Sequence, residues 1–231
     1  MMRIVEPVSL VAVLAVMAVC AFKGVSQSAL LTALVAALAC VPFFLSFELS
    51  RPRPRDIMPI AVLAAIAVAG RIVMAPIPNF QPVSAIVILA GVYFGRQSGF
   101  LVGAFTALVS NMVLGQGPWT PWQMYAWGLM GYLAGALFSR AAAERPVLGR
   151  LKWLIYAYGA LSSMVFGVIM DSWFIIGFIS KFQPAAVFAA YAAGFALNLS
   201  HVLATVVFLL LVLVPWGKKF ARIKTKYGIA G

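Results

Sequence analysis

The chain has 231 residues, of which 64% are hydrophobic and 10% charged, with a mean hydropathy of +1.04 and a net charge of +12. A soluble domain carries about 45–50% apolar and about 25% charged residues, so this composition excludes a water-soluble globular fold and points to an integral membrane protein. The basic balance does not point to nucleic acid, because the Lys and Arg residues lie in short segments between apolar runs. In that place they orient a membrane protein.

Residues 8–22 and 29–49 are two apolar runs separated by Lys23-Gly24-Val25-Ser26-Gln27-Ser28. The first is short for a span and follows Arg3, as in a signal peptide. However, Val19 precedes Cys20 where a cleavage site wants a small residue, and a second run follows at once. Residues 1–50 therefore read as a transmembrane hairpin. Arg51-Pro52-Arg53-Pro54-Arg55-Asp56 is a linker over 51–56: the prolines interrupt a helix and the arginines resist burial in lipid. Six further spans follow, near 57–75, 82–95, 97–114, 121–139, 153–179 and 184–214, before a basic tail over 216–231. The second of these is short for the roughly 20 residues a span needs, which suits a tilted or partly re-entrant segment.

Alternating sides from a cytoplasmic 51–55 segment puts 14 of the 17 Lys and Arg residues inside. Lys23, Arg71 and Lys181 fall on or near the outer side. That asymmetry predicts eight spans with both termini cytoplasmic. It also gathers the Pro76–Pro82 loop, the Gly115–Trp122 loop and the 180–183 turn on the outer face.

No Gly-x-x-x-x-Gly-Lys-[Ser/Thr] loop is present, so the chain is not its own ATPase. His201 is the single histidine, and no cluster has metal-ligand spacing. Ser200 and His201 are helix neighbours about 100° apart, a poor nucleophile–base pair. No catalytic residue, metal or cofactor is expected. Cys20 and Cys40 each sit inside an apolar run and read as packing residues.

The outer loops carry the binding signal. Asn79, Gln81, Asn111, Gln116, Thr120 and Gln123 offer neutral donors and acceptors, and Phe80, Trp119, Trp122 and Tyr125 offer stacking surface. A few polar groups among aromatics make up a small-molecule site; the competing reading is a belt of interfacial tryptophans around proline-shaped turns. Arg71 and Asp171 are ionisable groups inside apolar spans, so they either shape a site or pair with one another. Asn198 and His201 are expected near mid-membrane on the last helix, His201 as a packing residue. Ala61, Ala65 and Ala69 recur every four residues on the first core helix. Such a stripe allows close helix approach, to a partner or within the bundle. Ala29, Ala33 and Ala37 show the same period.

Three stretches together resemble the substrate-binding S components of energy-coupling factor (ECF) vitamin transporters: Ala61-x-x-x-Ala65-x-x-x-Ala69, Asn79-Phe80-Gln81-Pro82-Val83-Ser84-Ala85-Ile86, and Gly115-Gln116-Gly117-Pro118-Trp119-Thr120-Pro121-Trp122-Gln123-Met124. They are most similar to the branch associated with cobalamin. The resemblance implies an all-α integral membrane fold in a prokaryotic cell membrane, with a six-helix S-component core over 57–215 behind the extra hairpin. It implies substrate contacts from Asn79, Gln81, Asn111, Trp119, Trp122 and Gln123, with Arg71 and Asp171 shaping the site. The Ala61, Ala65 and Ala69 face would dock on a transmembrane coupling subunit driven by two cytoplasmic ATPase subunits. Cobalamin or a related corrinoid is the expected cargo. Riboflavin or another small vitamin is the competing ligand, and a self-contained permease or scaffold the competing class. The hairpin has no counterpart in the six-helix core, and against the alanine face it would compete with the coupling subunit.

Overall fold

Proline and glycine set most of the helix boundaries. A computed structural model describes residues 2–23, 29–144, 149–178 and 183–228, and these form eight α-helices. They are α1 (Met2–Lys23), α2 (Ala29–Leu49), α3 (Pro54–Val73), α4 (Val83–Phe94), α5 (Arg96–Leu114), α6 (Thr120–Glu144), α7 (Leu151–Phe178) and α8 (Pro184–Tyr227). The Arg/Pro segment lies between α2 and α3, but Pro54 opens α3 rather than preceding it. Pro at the first helical position has no N–H to lose, and Asp56 accepts a bond from the Arg53 backbone N–H at 3.1 Å. Gly95 alone separates α4 from α5, at φ 89°. Few other residues tolerate that backbone.

Among the described residues, four helices, α3, α5, α7 and α8, are long and apolar enough to cross a membrane. Val5–Val16, Ala33–Leu49 and Val83–Phe94 are shorter apolar stretches. Large apolar side chains such as Leu38, Val62, Leu137, Leu161 and Phe188 face outward, as a bilayer-embedded surface requires. This is a multi-pass helical membrane protein.

The short fourth helix has a packing reason. All twelve residues of α4 are buried, enclosed by α3, α5, α6, α7 and α8. Its neighbours close in through glycine: a Cβ on Gly91 would lie 2.2 Å from the Gly131 carbonyl oxygen, and one on Gly131 2.2 Å from that of Gly99. Small residues permit such backbone approach in lipid, where packing drives helix association.

The hairpin of α1 and α2 packs against α5, α6 and α7. Phe43 stacks on Phe100 at 3.7 Å, and the Tyr125 hydroxyl donates to the Leu10 carbonyl at 2.8 Å. Its polar anchor is Glu6, which is 1% exposed. Ser46 and Gln97 each donate to Glu6 Oε1 at 2.6 Å, Tyr132 donates to Oε2 at 3.3 Å, and Arg96 pairs with Oε2 at 3.5 Å. This is the one ion pair among the described residues. The hairpin leaves Ala61, Ala65 and Ala69 exposed on α3, so the competition feared from the sequence does not arise in this packing.

The last helix departs from expectation. The apolar run ends near 214, yet α8 continues through Pro215 and the basic segment to Tyr227, 44 residues in all. At 1.5 Å per residue that is about 66 Å. The 76–82 connection is tied to this part of α8: Ser200 donates to the Pro78 carbonyl at 2.9 Å and Asn79 Nδ2 to the Leu197 carbonyl at 3.2 Å.

Candidate functional site

Four helix ends bring a polar cluster together at the end of the bundle that carries the 74–82 and 115–119 connections. Arg71 lies in the last turn of α3, where the helix dipole favours a cation. Ser110 and Asn111 end α5 before Gly115 breaks it at φ 115°. Gln81 lies just before α4, and Gln123 in the first turn of α6.

Arg71 is 8% exposed and bonds to every one of these. Its Nε donates to Gln81 Oε1 at 3.2 Å and its Nη1 to Asn111 Oδ1 at 2.7 Å and to the Ser110 hydroxyl. Its Nη2 donates to Gln123 Oε1 at 3.4 Å, and the guanidinium lies 4.9 Å from the Trp127 ring centroid. Asn111 Nδ2 ties the frame together, donating to Gln123 Oε1 at 2.8 Å and Thr120 Oγ1 at 2.9 Å. Thr120 in turn donates to Gln116 Oε1 at 2.8 Å.

An aromatic layer lies beneath. Trp127 stacks on Phe166 at 4.8 Å, and Phe166 meets the His201 ring edge-on at 4.7 Å. Ser84 Oγ is 2.6 Å from His201 Nε2 and accepts from Trp127 Nε1 at 3.1 Å. His201 is buried and hydrogen-bonded, the packing role expected of it. Arg71 therefore joins a continuous Trp127–Phe166–His201–Ser84 seam between α3–α6 and α7–α8.

The predicted site residues divide. Arg71, Gln81, Asn111 and Gln123 come together. Asp171 does not join them: it accepts from Asn198 Nδ2 at 2.7 Å, so the alternative of an Arg71–Asp171 pair is not realised. Asp171 sits on a close α7–α8 approach, where a Cβ on Gly194 would lie 2.7 Å from its carboxylate. Asn79, exposed at φ 55°, pins its loop to α8. Trp119 is 38% exposed beside Gly117. Trp122 is 1% exposed and packs edge-on against Tyr125, so neither a loop-surface nor a belt position describes it. Phe80 packs against Phe208. The 180–183 turn lies mostly outside the described residues. Sequence reasoning missed Ser110, Ser84 and Trp127; the last shares a face of α6 with Gln123, four residues earlier.

At the opposite end, a groove of about 590 Å³ runs between α3 and the C-terminal part of α8. Met58, Val62, Ile66, Trp216 and Phe220 line it, with Arg55 and Lys219. It shares no residue with the Arg71 cluster.

Fold and site define a class: a multi-pass helical membrane protein that holds a polar, aromatic-floored cluster under two connections. Residues 53–215 match the family model described as "ECF-type riboflavin transporter, S component". The chain belongs to this family of transporter S components. It is also similar to UPF0397 proteins of Aliivibrio fischeri strains MJ11 and ES114, each 28% identical over 120 residues. Each match covers 49% of this chain and 65% of the relative, so the chain spans about two thirds of those relatives' length. No solved structure matches it.

Proposed function

We propose that this S component binds its vitamin at the Arg71–Gln81–Asn111–Gln123 cluster, on the outer face of the membrane. The observation that carries the reading is the convergence of four helix ends on one buried, amide-ringed cation within the matched region. The distribution of Lys and Arg supports eight spans, six of them in the core after the hairpin, with both termini cytoplasmic. Cobalamin or a related corrinoid is the proposed cargo, from the loop motifs. Riboflavin is the second reading, favoured by the family's description. The test is a visible spectrum of the detergent-purified protein after growth with both vitamins. A retained corrinoid spectrum supports the first, a retained flavin spectrum the second, and a calorimetric titration without heat from either removes both.

Trp119, exposed at the rim, is proposed as a stacking contact. Trp119→Ala is expected to weaken binding about tenfold, or roughly 1.4 kcal/mol; unchanged affinity in the titration takes it out of the site. Asn79 is proposed to hold the loop rather than touch the ligand, and Trp122 to support Tyr125. Asp171 is proposed to shape the site from α7.

The exposed Ala61, Ala65 and Ala69 stripe is the proposed docking face for a transmembrane coupling subunit driven by two ATPase subunits. Ala65→Trp is expected to stop vitamin uptake by cells while the purified protein binds ligand as before. Normal uptake by that variant refutes the docking face.

A further inference from the structure

We infer that the cargo presents an anionic group, a phosphate or a carboxylate, to Arg71 Nη2 and the side-chain amides of Gln81 and Gln123. This rests on the outer-face site proposed above and adds the charge of what fills it, which within the second reading favours a phosphorylated flavin over neutral riboflavin.

The argument is a count of donors. A guanidinium has five N–H groups and accepts nothing. Nε and both Nη1 hydrogens are taken by Gln81, Asn111 and Ser110. Nη2 makes a single long contact, 3.4 Å to Gln123 Oε1, and that oxygen already accepts from Asn111 at 2.8 Å. One Nη2 hydrogen thus has no acceptor among the described residues, and the other is weakly held.

Arg71 also fixes its neighbours. Because a guanidinium only donates, Gln81 and Gln123 must turn their carbonyl oxygens toward it. Their Nε2 amides then point elsewhere, and neither has an acceptor among the described residues. Both glutamines are half-buried, so the free N–H groups lie where the cluster meets its surroundings. The glutamine side chains thus present donors at the rim.

Charge agrees with this. Among the described side chains, the carboxylates of Glu6, Glu48 and Asp56 lie at the other end of the bundle. Asp171 is engaged by Asn198. Arg71 has no carboxylate within ion-pair distance. A cation kept in apolar surroundings by neutral dipoles alone gains most from an anion.

The experiment uses matched probes on the purified full-length protein: riboflavin against flavin mononucleotide, and cobinamide against cobinamide phosphate, each pair differing by one phosphate. Affinities are measured by titration for the parent, Arg71→Gln and Arg71→Lys. In whichever pair binds, the phosphate-bearing member is expected to bind 10- to 100-fold tighter, the range for hydrogen bonds to charged groups. Arg71→Gln should erase that ratio and Arg71→Lys keep part of it. Because the ratio is taken within each variant, partial misfolding cancels. Equal affinity within the binding pair, or a ratio unchanged in Arg71→Gln, overturns the inference and leaves the vitamin site standing. If the parent binds none of the four, the corrinoid and flavin readings fail and the inference with them.

Discussion

Gly131→Ala is expected to be strongly destabilising. A Cβ there would lie 2.2 Å from the Gly99 carbonyl oxygen, 2.4 Å from the Gly99 carbonyl carbon and 2.8 Å from Val87 Cγ1. Two of these neighbours are backbone, so no rotamer change relieves the contact. Core overpacking usually costs about 1–3 kcal/mol; here α5 must move as a body, and the cost should exceed about 3 kcal/mol. The damage reaches the site, because α5 carries Asn111 and α6 carries Gln123, whose 2.8 Å bond holds the Arg71 frame. Thermal unfolding in detergent, with ligand titration alongside, reads both. Leu137→Ala on the exposed side of α6 is the control and should change little. A Gly131→Ala protein with the parent's midpoint and affinity would show that the helices cross with more room than described.

Glu6→Ala should loosen the N-terminal hairpin while the rest of the bundle holds. The substitution takes from Ser46 and Tyr132 the acceptor of their hydroxyls, leaves Gln97 only its 2.6 Å bond to Ser46 Oγ, and leaves Arg96 without its acid. Removing one partner of a buried ion pair costs about 3–5 kcal/mol. Arg96 is 35% exposed and keeps some solvation, which puts the expected loss near the low end. The readout is Cys40, a free thiol 2% exposed on α2. In a Cys20→Ser background its maleimide labelling should rise by an order of magnitude or more in Glu6→Ala, and less in Glu6→Gln, which keeps the shape and one acceptor. Labelling at the parent's rate in both variants would mean that the aromatic contacts of Phe43 suffice.

Local chemistry made part of this legible in the sequence. The break between α4 and α5 and the end of α5 follow from Gly95 and Gly115, because glycine acts on its own backbone, whereas α3 starts at Pro54, inside the stretch read as a linker. Arg71, Gln81, Asn111 and Gln123 were legible as polar residues at apolar boundaries. The rest depended on rotation about helix axes. Whether Arg71 meets Asp171 or a ring of amides turns on how α3 faces α7, and no spacing within either segment says so. Trp122 reads as a loop residue until α6 is known to begin at Thr120, which turns it toward Tyr125 and the hairpin. Glu6 lies just before the first apolar run, and nothing in the residues around it marks it for burial. Only the packing of α1 on α5 and α6 makes it a buried anchor.

The enclosure of α4 bears on how the chain enters a bilayer. Twelve residues rise about 18 Å, well short of the roughly 30 Å hydrocarbon core. A solitary segment of that length would leave its ends, and the unpaired backbone groups there, in lipid. Within the bundle it meets only protein, so its length need not match the membrane. Its stable insertion therefore waits on its shell: α3 precedes it, but α5 and α6 are synthesised later. A nascent chain halted after Phe94 would hold α4 at the interface or in the translocation machinery, and membrane integration of this segment would be an assembly event rather than a partitioning event.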